Sequence, residues 1–372
     1  MRQRVSPRRT AVLIGSCFLL FLFFKNAEIA ANGIEKGLVL ASGVIIPSLF
    51  PFLVLSELLL ASNAGEISEK LLGGAVRRAF AISGKGALAF LMGVLCGIPV
   101  GAVTATSLQT EGEITRDEFE RLFLFVNLPS AAFLISAVGG TLFGCTQAGI
   151  ALFVIMLLCA MLTGVLLRCF AKKREMTPPC PTPVAAAPLG AATVTGCVKK
   201  GFTTLLYVIA FLLFFSALGE CLRAIIKELA LPDTVGVLLC GILEMTSGIS
   251  LAITTLNAET AFLLTAFFCG FSGLSICLQV FAVSEKVRPH LAPYLIVKLA
   301  QGLLALLLAA LYYRLFRPAL APPTEHTFAT LGKEWLPARM WIGAALSLSL
   351  LFLLYLLQRR LVCFVKRKKG EC

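Results

Sequence analysis

Long apolar runs separated by short polar segments dominate the pattern of this 372-residue chain. A helix that spans a bilayer needs about 20 mostly apolar residues, and ten runs approach or exceed that length. No alternation of apolar and polar residues with Asn-Gly turns competes with them, so the pattern predicts an all-α polytopic membrane protein. The ten predicted spans are residues 11–28, 38–61, 86–108, 121–143, 147–170, 202–222, 234–256, 260–283, 294–316 and 340–363.

The first run is short in its most apolar part, residues 11–24, and follows Arg8 and Arg9. Such a run is typical of a signal peptide as well as of a membrane anchor. The sequence Lys-Asn-Ala-Glu at residues 25–28 makes a poor cleavage site, because such sites need small residues. We therefore favour an uncleaved anchor, with a signal peptide as the alternative.

Two of the runs contain helix-breaking residues where a helix would cross the middle of a bilayer. Residues 93–101 read GVLCGIPVG and residues 241–248 read GILEMTSG. Proline removes a backbone donor and glycine weakens a helix, and a broken helix survives in a membrane only where protein or a wet cavity covers it. We therefore predict re-entrant hairpins over 86–108 and 234–256. The predicted helix-breaking residues are Gly97, Pro99, Gly101, Gly248 and Gly273.

The charges are concentrated outside the apolar runs. Hydrophobic residues make up 58% of the chain and charged residues 14%, yet the formal net charge is +13. Segments 1–10, 168–200 and 359–372 carry 16 of the 33 basic residues and two of the 20 acidic ones. Short loops rich in Lys and Arg stay in the cytoplasm, so the net charge indicates membrane orientation and argues against a nucleic-acid partner.

The charge distribution also favours the two hairpins. If all ten runs crossed the membrane, segment 168–200 would lie outside. With two hairpins, both termini and every strongly basic segment fall inside. The predicted inside segments are 1–10, 62–85, 109–121, 168–200, 284–293 and 359–372, and the outside ones are 28–37, 144–146, 220–234, 257–260 and 317–339.

The two hairpin sequences also align with each other. Residues 93–108 match 241–256 without a gap, each hairpin follows a long apolar helix, and each precedes a helix with a polar motif. The predicted topology inverts one half relative to the other, which is the architecture of many secondary transporters. The predicted organisation is an N-terminal basic tail and anchor (1–34), a first repeat (35–170), a Pro/Ala-rich cytoplasmic linker (171–200), a second repeat (201–316), and a loop, final helix and basic tail (317–372).

Three ionisable residues in or near the spans are candidate site residues, because a charge inside a bilayer costs about 3 kcal/mol or more. Glu244 could accept hydrogen bonds from a substrate, or it could be a protonated carboxyl bonded to the broken backbone. Lys298 could be the counter-charge of Glu244 or of an anionic substrate, or it could extend to the interface. Glu57 is either functional or interfacial.

Polar side chains complete the candidate substrate site. Helices that restart after a break expose backbone N–H groups that favour anions, while the same polar residues could instead hold helices together. The polar candidates are Thr246 and Ser247 beside Glu244, Asn127 and Ser130 around Pro129, and the stripe of Ser272, Ser275 and Gln279.

Catalytic and metal-binding patterns are missing from the sequence. The 13 cysteines form no Cys-x-x-Cys pair, there are two histidines, and no nucleophile lies beside a base. We therefore expect no enzyme activity, no cofactor and no metal site.

Four motifs together resemble the YlbJ-type sporulation integral membrane proteins of the Gate, or nucleoside-recognition, domain group. They are FPFLVLSEL (50–58), GIPVGA (97–102), EMTSG (244–248) and FSGLSICLQ (271–279), and the similarity spans about residues 35–316. The chain departs from the pattern at Lys298, where the family tends to carry arginine, and at Ser272-Gly273, where it often carries Gly-Gly.

The resemblance implies a role in endospore formation and the movement of dipicolinic acid across a membrane around the forespore. We expect a transporter or facilitator of a small polar or anionic metabolite in a bacterial cell membrane, with a coupling ion or an oligomer left open. The alternatives are a non-transporting membrane scaffold for spore envelope assembly and a nucleoside-type transporter.

Overall fold

The computed structural model describes residues 7–62, 64–170 and 191–316, and these residues form helices and no β-strand. The all-α fold is confirmed. The α-helices are α1 Pro7–Lys25, α2 Ala27–Leu40, α3 Ile46–Ala61, α4 Ala64–Phe80, α5 Gly84–Cys96, α6 Val100–Thr110, α7 Arg116–Phe123, α8 Thr146–Arg168, α9 Ala191–Glu228, α10 Asp233–Leu243, α11 Met245–Thr255, α12 Ala258–Phe271, α13 Gly273–Val283 and α14 Leu291–Phe316. Two segments, Ala41–Ile45 and Phe133–Leu142, are π-helical.

Four helical segments in this part of the chain are long and apolar enough to cross a membrane. They are Thr146–Arg168, Ala192–Glu228, Ala258–Val283 and Leu291–Phe316, and two bent helix pairs raise the number to six if each pair is one span. In α14, Leu299, Leu303, Leu307 and Leu311 are exposed along one face. Such a stripe is unfavourable in water and suits lipid contact, so the chain is a polytopic membrane protein.

The N-terminal region differs from the predicted spans. The segment predicted as an outside loop, 28–37, lies within helix α2, which begins at Ala27. The axis of α2 is bent by 94° from that of α1. A Cβ atom at Gly33 would lie 2.8 Å from Ala217 Cα, so α2 packs closely on α9. The charged residues of α2 lower the local hydropathy, so the hydropathy pattern does not predict this helix.

Two other boundaries differ from the prediction. The span predicted over 121–143 is not one helix: α7 ends at Phe123, and helix resumes near residue 131 before the π-helical segment. Pro129 lacks the N–H that a continuous helix needs. α9 begins at Ala191, inside the predicted linker 171–200. The predicted loop 317–339 and span 340–363 lie outside the described residues, as does most of the linker.

Polar contacts gather three predicted inside segments at one end of the bundle, which we call the Glu118 end (residues 81–86, 109–121 and 284–290). Ser83 donates from N and from Oγ to Glu118 Oε1, both at 2.7 Å, and Lys85 pairs with Glu113. Arg116 donates to Arg288 O at 2.8 Å. Burial raises the pKa of the Glu118 carboxyl, although hydrogen bonds from Ser83 act in the opposite direction.

Other contacts define the opposite end of the bundle. Lys36 pairs with Glu220 at 3.1 Å, and the rings of Phe143 and Phe262 lie 5.8 Å apart. Helix α8 connects the two ends. Phe143, just before α8, lies at this opposite end, whereas Gly164 near the end of α8 lies beside Phe80, close to the Glu118 end: a Cβ at Gly164 would lie 2.8 Å from the Phe80 ring. Lys85 at the start of α5 pairs with Glu113 just after α6, so the first hairpin begins and ends at the same end of the bundle.

The two hairpins close in a similar way on pairs of glycines. A Cβ atom at Gly101 would lie 2.9 Å from Gly93 Cα in the first hairpin, and one at Gly248 would lie 2.1 Å from Gly241 Cα in the second. The first opens at the Glu118 end, whereas Gly236 of the second lies beside Ile226, near the end of α9. The two hairpins therefore open at opposite ends of the described part of the bundle.

Cysteine labelling tests this topology. In a background with the native cysteines replaced by alanine, we expect Lys70→Cys, Glu111→Cys and Glu285→Cys to react with an impermeant thiol reagent from one side of the membrane. Glu259→Cys, in the first turn of α12, should react from the other side. Labelling of Lys70→Cys and Glu111→Cys from opposite sides would contradict the re-entrant hairpin between them.

Candidate functional site

The helix breaks of each half pack against each other inside the bundle. In the first half, Gly97 ends α5 with φ +82°, and a Cβ there would lie 2.7 Å from Ser130 N. In the second half, Gly273 has φ +75°, and a Cβ there would lie 3.0 Å from Met245 N. Both glycines adopt a backbone conformation that other residues adopt at a cost, which explains the glycine at these two breaks.

Glu244 caps the restarted helix α11. Its carboxylate accepts hydrogen bonds from Thr246 N at 2.9 Å and from Ser247 N at 2.6 Å, and it also contacts the Thr246 hydroxyl. The side chain is 3% exposed. The backbone N–H groups that a restarting helix exposes are therefore bonded to the chain's own carboxylate, and no ion pair joins Glu244 to Lys298 in the described part of the chain.

Lys298 lies at the centre of a second buried cluster. Its Nζ atom donates to Asn127 O at 2.8 Å and to Gln301 Oε1 at 3.1 Å, and the side chain is 1% exposed. Gln301 Nε2 in turn donates to Thr163 Oγ1 at 3.1 Å. The cluster therefore joins α14, α8 and the break that follows α7, and Lys298 does not extend to the interface.

Two polar atoms beside this cluster lack a well-formed hydrogen bond. Asn127 Oδ1 and Tyr294 Oη are buried and have no hydrogen bond of normal geometry, although the Asn127 side chain lies close enough to the Tyr294 hydroxyl to interact with it. Asn127 Nδ2 donates to Phe123 O at 2.9 Å. An unpaired buried polar atom costs about 1–3 kcal/mol. Lys298, Asn127 and Gln301 also line a small cavity of about 10 Å³, which approaches the volume needed to hold one water molecule.

The other predicted polar residues make local contacts. Ser130 Oγ accepts from Phe133 N at 3.2 Å, and Ser275 Oγ accepts from Gln279 Nε2 at 3.2 Å. Ser272 has φ +74° and is buried, with its hydroxyl directed at Cys269 O at 3.4 Å. None of these residues bonds to Lys298, so the structure brings only Asn127 of the predicted polar set directly to it.

Glu57 forms a separate cluster near the Glu118 end. Its buried carboxylate accepts from Lys200 Nζ at 3.0 Å and from Ser107 Oγ at 3.4 Å. Burial raises the pKa of the neighbouring Glu111, although Lys200 lowers it. Glu57 is therefore paired with a basic residue of the linker-side end of α9 and lies apart from Lys298.

Some members of these clusters were absent from the predicted site. Thr163 occurs in the apolar α8 and gave no signal in the sequence. Tyr294 precedes Lys298 by four residues, so helical spacing places both on one face of α14. Gln301, three residues after Lys298, lies on the same face. Thr106 donates to Ser284 at 2.9 Å across the two halves, a contact that only the fold reveals. In the described ranges, no group of three His, Cys, Asp or Glu residues could hold a metal ion.

These features define a polytopic α-helical integral membrane protein with polar clusters inside its bundle. The chain is 27% identical over 384 aligned residues to the "Sporulation integral membrane protein YlbJ" of Bacillus subtilis (strain 168), covering 91% of this chain and 94% of that protein. This match confirms the resemblance to the YlbJ-type proteins. No family model matches the chain, and no solved structure matches it.

Removal of the Glu244 cap should destabilise the protein. Glu244→Ala leaves the N–H groups of Thr246 and Ser247 without an acceptor, so we expect a loss of about 2 kcal/mol, measured by thermal unfolding in detergent micelles. Glu244→Gln keeps one acceptor oxygen and should lose less. The exposed Glu285→Ala is the control, with a change below about 0.5 kcal/mol. An unchanged unfolding midpoint for Glu244→Ala would contradict the capping role.

Proposed function

We propose that this protein transports or facilitates the passage of a small polar or anionic metabolite and that it serves sporulation. The observation that carries the proposal is the buried Lys298, which forms no ion pair with an acidic residue among those described. A buried cation without an acidic partner is costly unless a ligand neutralises it. A functional anion site offers a reason for its presence.

The surroundings of Lys298 support this proposal. Asn127 Oδ1 and Tyr294 Oη lie in the same region and have no hydrogen bond of normal geometry in this conformation, so both could bond to a ligand with donor and acceptor groups. The cluster lies where a helix break meets α8 and α14, and broken helices inside a bundle are the usual setting of transporter sites. Glu244, by contrast, is engaged with its own backbone, so we assign the substrate anion to Lys298 rather than to the α11 terminus.

The small cavity implies that the site is closed in this conformation. A volume of about 10 Å³ is far below the 300–1,000 Å³ of typical ligand pockets. A metabolite can therefore enter only after α8, α12 and α14 move apart around Lys298. Such alternation between closed and open states is the expected behaviour of a transporter with inverted repeats.

The favoured substrate is dipicolinic acid. Its aromatic ring and carboxylates suit a site with one buried cation, amide groups and thiols, and the similarity to a sporulation protein supports this biological setting. The corresponding location would be a bacterial cell membrane, with a forespore membrane as the specific case and both termini in the cytoplasm. A nucleoside is the second candidate, since the neutral groups of Asn127 and Gln301 could bind it without an ion pair.

Uptake into proteoliposomes tests the proposal. We expect the purified protein to raise the uptake of labelled dipicolinate above that of a nucleoside and of a control dicarboxylate. Lys298→Gln should reduce dipicolinate flux at least about tenfold, because the loss of a charged hydrogen bond of 1.5–3 kcal/mol corresponds to that factor or more. The exposed Lys286→Gln is the matched control and should retain the wild-type flux.

The same variants distinguish transport from a scaffolding role. If none of the three compounds enters the vesicles, and Lys298→Gln still supports spore formation in the native bacterium, the protein is a scaffold and the transport proposal is wrong. Uptake of the nucleoside alone would reassign the substrate and leave the transport function in place.

A further inference from the structure

The described side chains that surround Lys298 are thiols, amides, a phenol and apolar groups rather than carboxylates. The titratable groups that face it are Cys159 of α8, Cys269 of α12 and Cys277 of α13, and Tyr294 lies one turn earlier on α14. The segment after α7 contributes the neutral Asn127. No acidic side chain of the described residues forms an ion pair with the lysine, so nothing in the closed site balances an ammonium charge.

The number of hydrogen-bond acceptors at Nζ also matters. An ammonium group has three N–H donors, whereas a neutral amine has two donors and one lone pair. Nζ of Lys298 has two oxygen acceptors, Asn127 O and Gln301 Oε1. These two acceptors match the neutral amine, and a third N–H of an ammonium would face the thiols and apolar groups of the cavity.

Burial makes this difference energetically important. A side chain that is 1% exposed has lost nearly all contact with water, and an isolated buried charge is normally removed by loss of the proton. The closed site is therefore compatible with two neutral combinations: an empty site with the amine, or an occupied site with the ammonium beside one negative charge of an anion.

We propose that Lys298 couples transport to protons, so that one proton and one anion bind the site together and leave it together. This inference rests on the proposed transport function and adds the coupling ion. On the side where the site opens, the Nζ lone pair takes a proton from hydronium and yields water and the ammonium that pairs with the anion. On the other side, the ammonium returns the proton to water as the anion leaves.

The coupling fixes the charge that moves in each cycle. The closed site would change conformation either empty with the neutral amine or loaded with one proton and one anion. A monoanion would cross with no net charge, and a dianion such as dipicolinate would carry one net negative charge. The lysine's ability to release its proton is essential to this scheme, because arginine remains charged in proteins.

Proton movement in proteoliposomes tests the inference. With the membrane potential clamped at zero by valinomycin and equal potassium, we expect an inside-alkaline gradient of one pH unit to accumulate dipicolinate about tenfold. A trapped pH dye should report acidification of the lumen during uptake, with one proton for each dipicolinate. Lys286→Gln should behave like the wild type in both measurements.

Lys298→Arg provides the sharper variant, because it keeps a positive charge that binds the anion. We expect it to exchange external for internal dipicolinate while losing net proton-coupled accumulation. Elution in size-exclusion chromatography and the thermal midpoint verify that the variant is folded, and Lys298→Gln should lose both exchange and accumulation.

The outcomes separate the two proposals. Dipicolinate flux that is independent of the pH gradient, without lumen acidification, would overturn proton coupling and leave transport intact. Wild-type accumulation by Lys298→Arg would also overturn it, since that side chain cannot release a proton. If no flux of any compound occurs, the transport function itself fails and proton coupling fails with it.

Discussion

Every backbone N–H and C=O group inside a bilayer needs a hydrogen-bond partner, because hydrocarbon offers none. The fold follows from the way each helix break meets this requirement. Glu244 supplies its carboxylate to the first N–H groups of α11. Gly97 packs directly on the backbone at Ser130, and Gly273 packs on the backbone at Met245. The breaks of each half are therefore covered by one another, and the hairpins can end inside the bundle without exposing backbone to lipid.

Close helix approach makes this covering possible. The Gly93–Gly101 and Gly241–Gly248 pairs bring the two helices of each hairpin to distances that a Cβ atom would prevent. In a membrane no hydrophobic driving force favours contact between helices over contact with lipid. Small residues at helix crossings supply van der Waals contact instead. The two helices of each hairpin are thus packed in direct backbone contact.

Lys298 differs from the buried carboxylates Glu244 and Glu57 in the groups that it contacts. Glu244 and Glu57 each have partners that neutralise or bond their carboxylates, whereas Lys298 contacts only neutral oxygen atoms. Nearby, Asn127 Oδ1 has no hydrogen bond of normal geometry. A buried cation without a charged partner lowers stability, which fits a site that is completed by a ligand and is closed around one water-sized cavity when empty.

The sequence predicted the features that depend on local chemistry. The breaks at Pro99 and Glu244 followed from proline, glycine and buried charge, and Lys298 was recognised because ionisable residues are rare in spans. Contacts between distant segments could not be read in this way. The sequence left open whether Lys298 pairs with Glu244, binds an anionic substrate or extends to the interface. The fold places Glu244 and Lys298 in separate clusters, because α11 uses the carboxylate as a cap. Likewise, Thr163 joins the Lys298 cluster only through the packing of α8 against α14.

The position of a bound anion tests the central role of Lys298 most directly. A crystal structure with a brominated pyridine-2,6-dicarboxylate, located by the anomalous scattering of bromine, would give that position. We predict that a carboxylate of the bound compound forms a hydrogen bond with Lys298 Nζ and that α8, α12 and α14 have moved apart around it. Anomalous density at another place in the protein, with the Lys298 bonds to Asn127 and Gln301 unchanged, would contradict it.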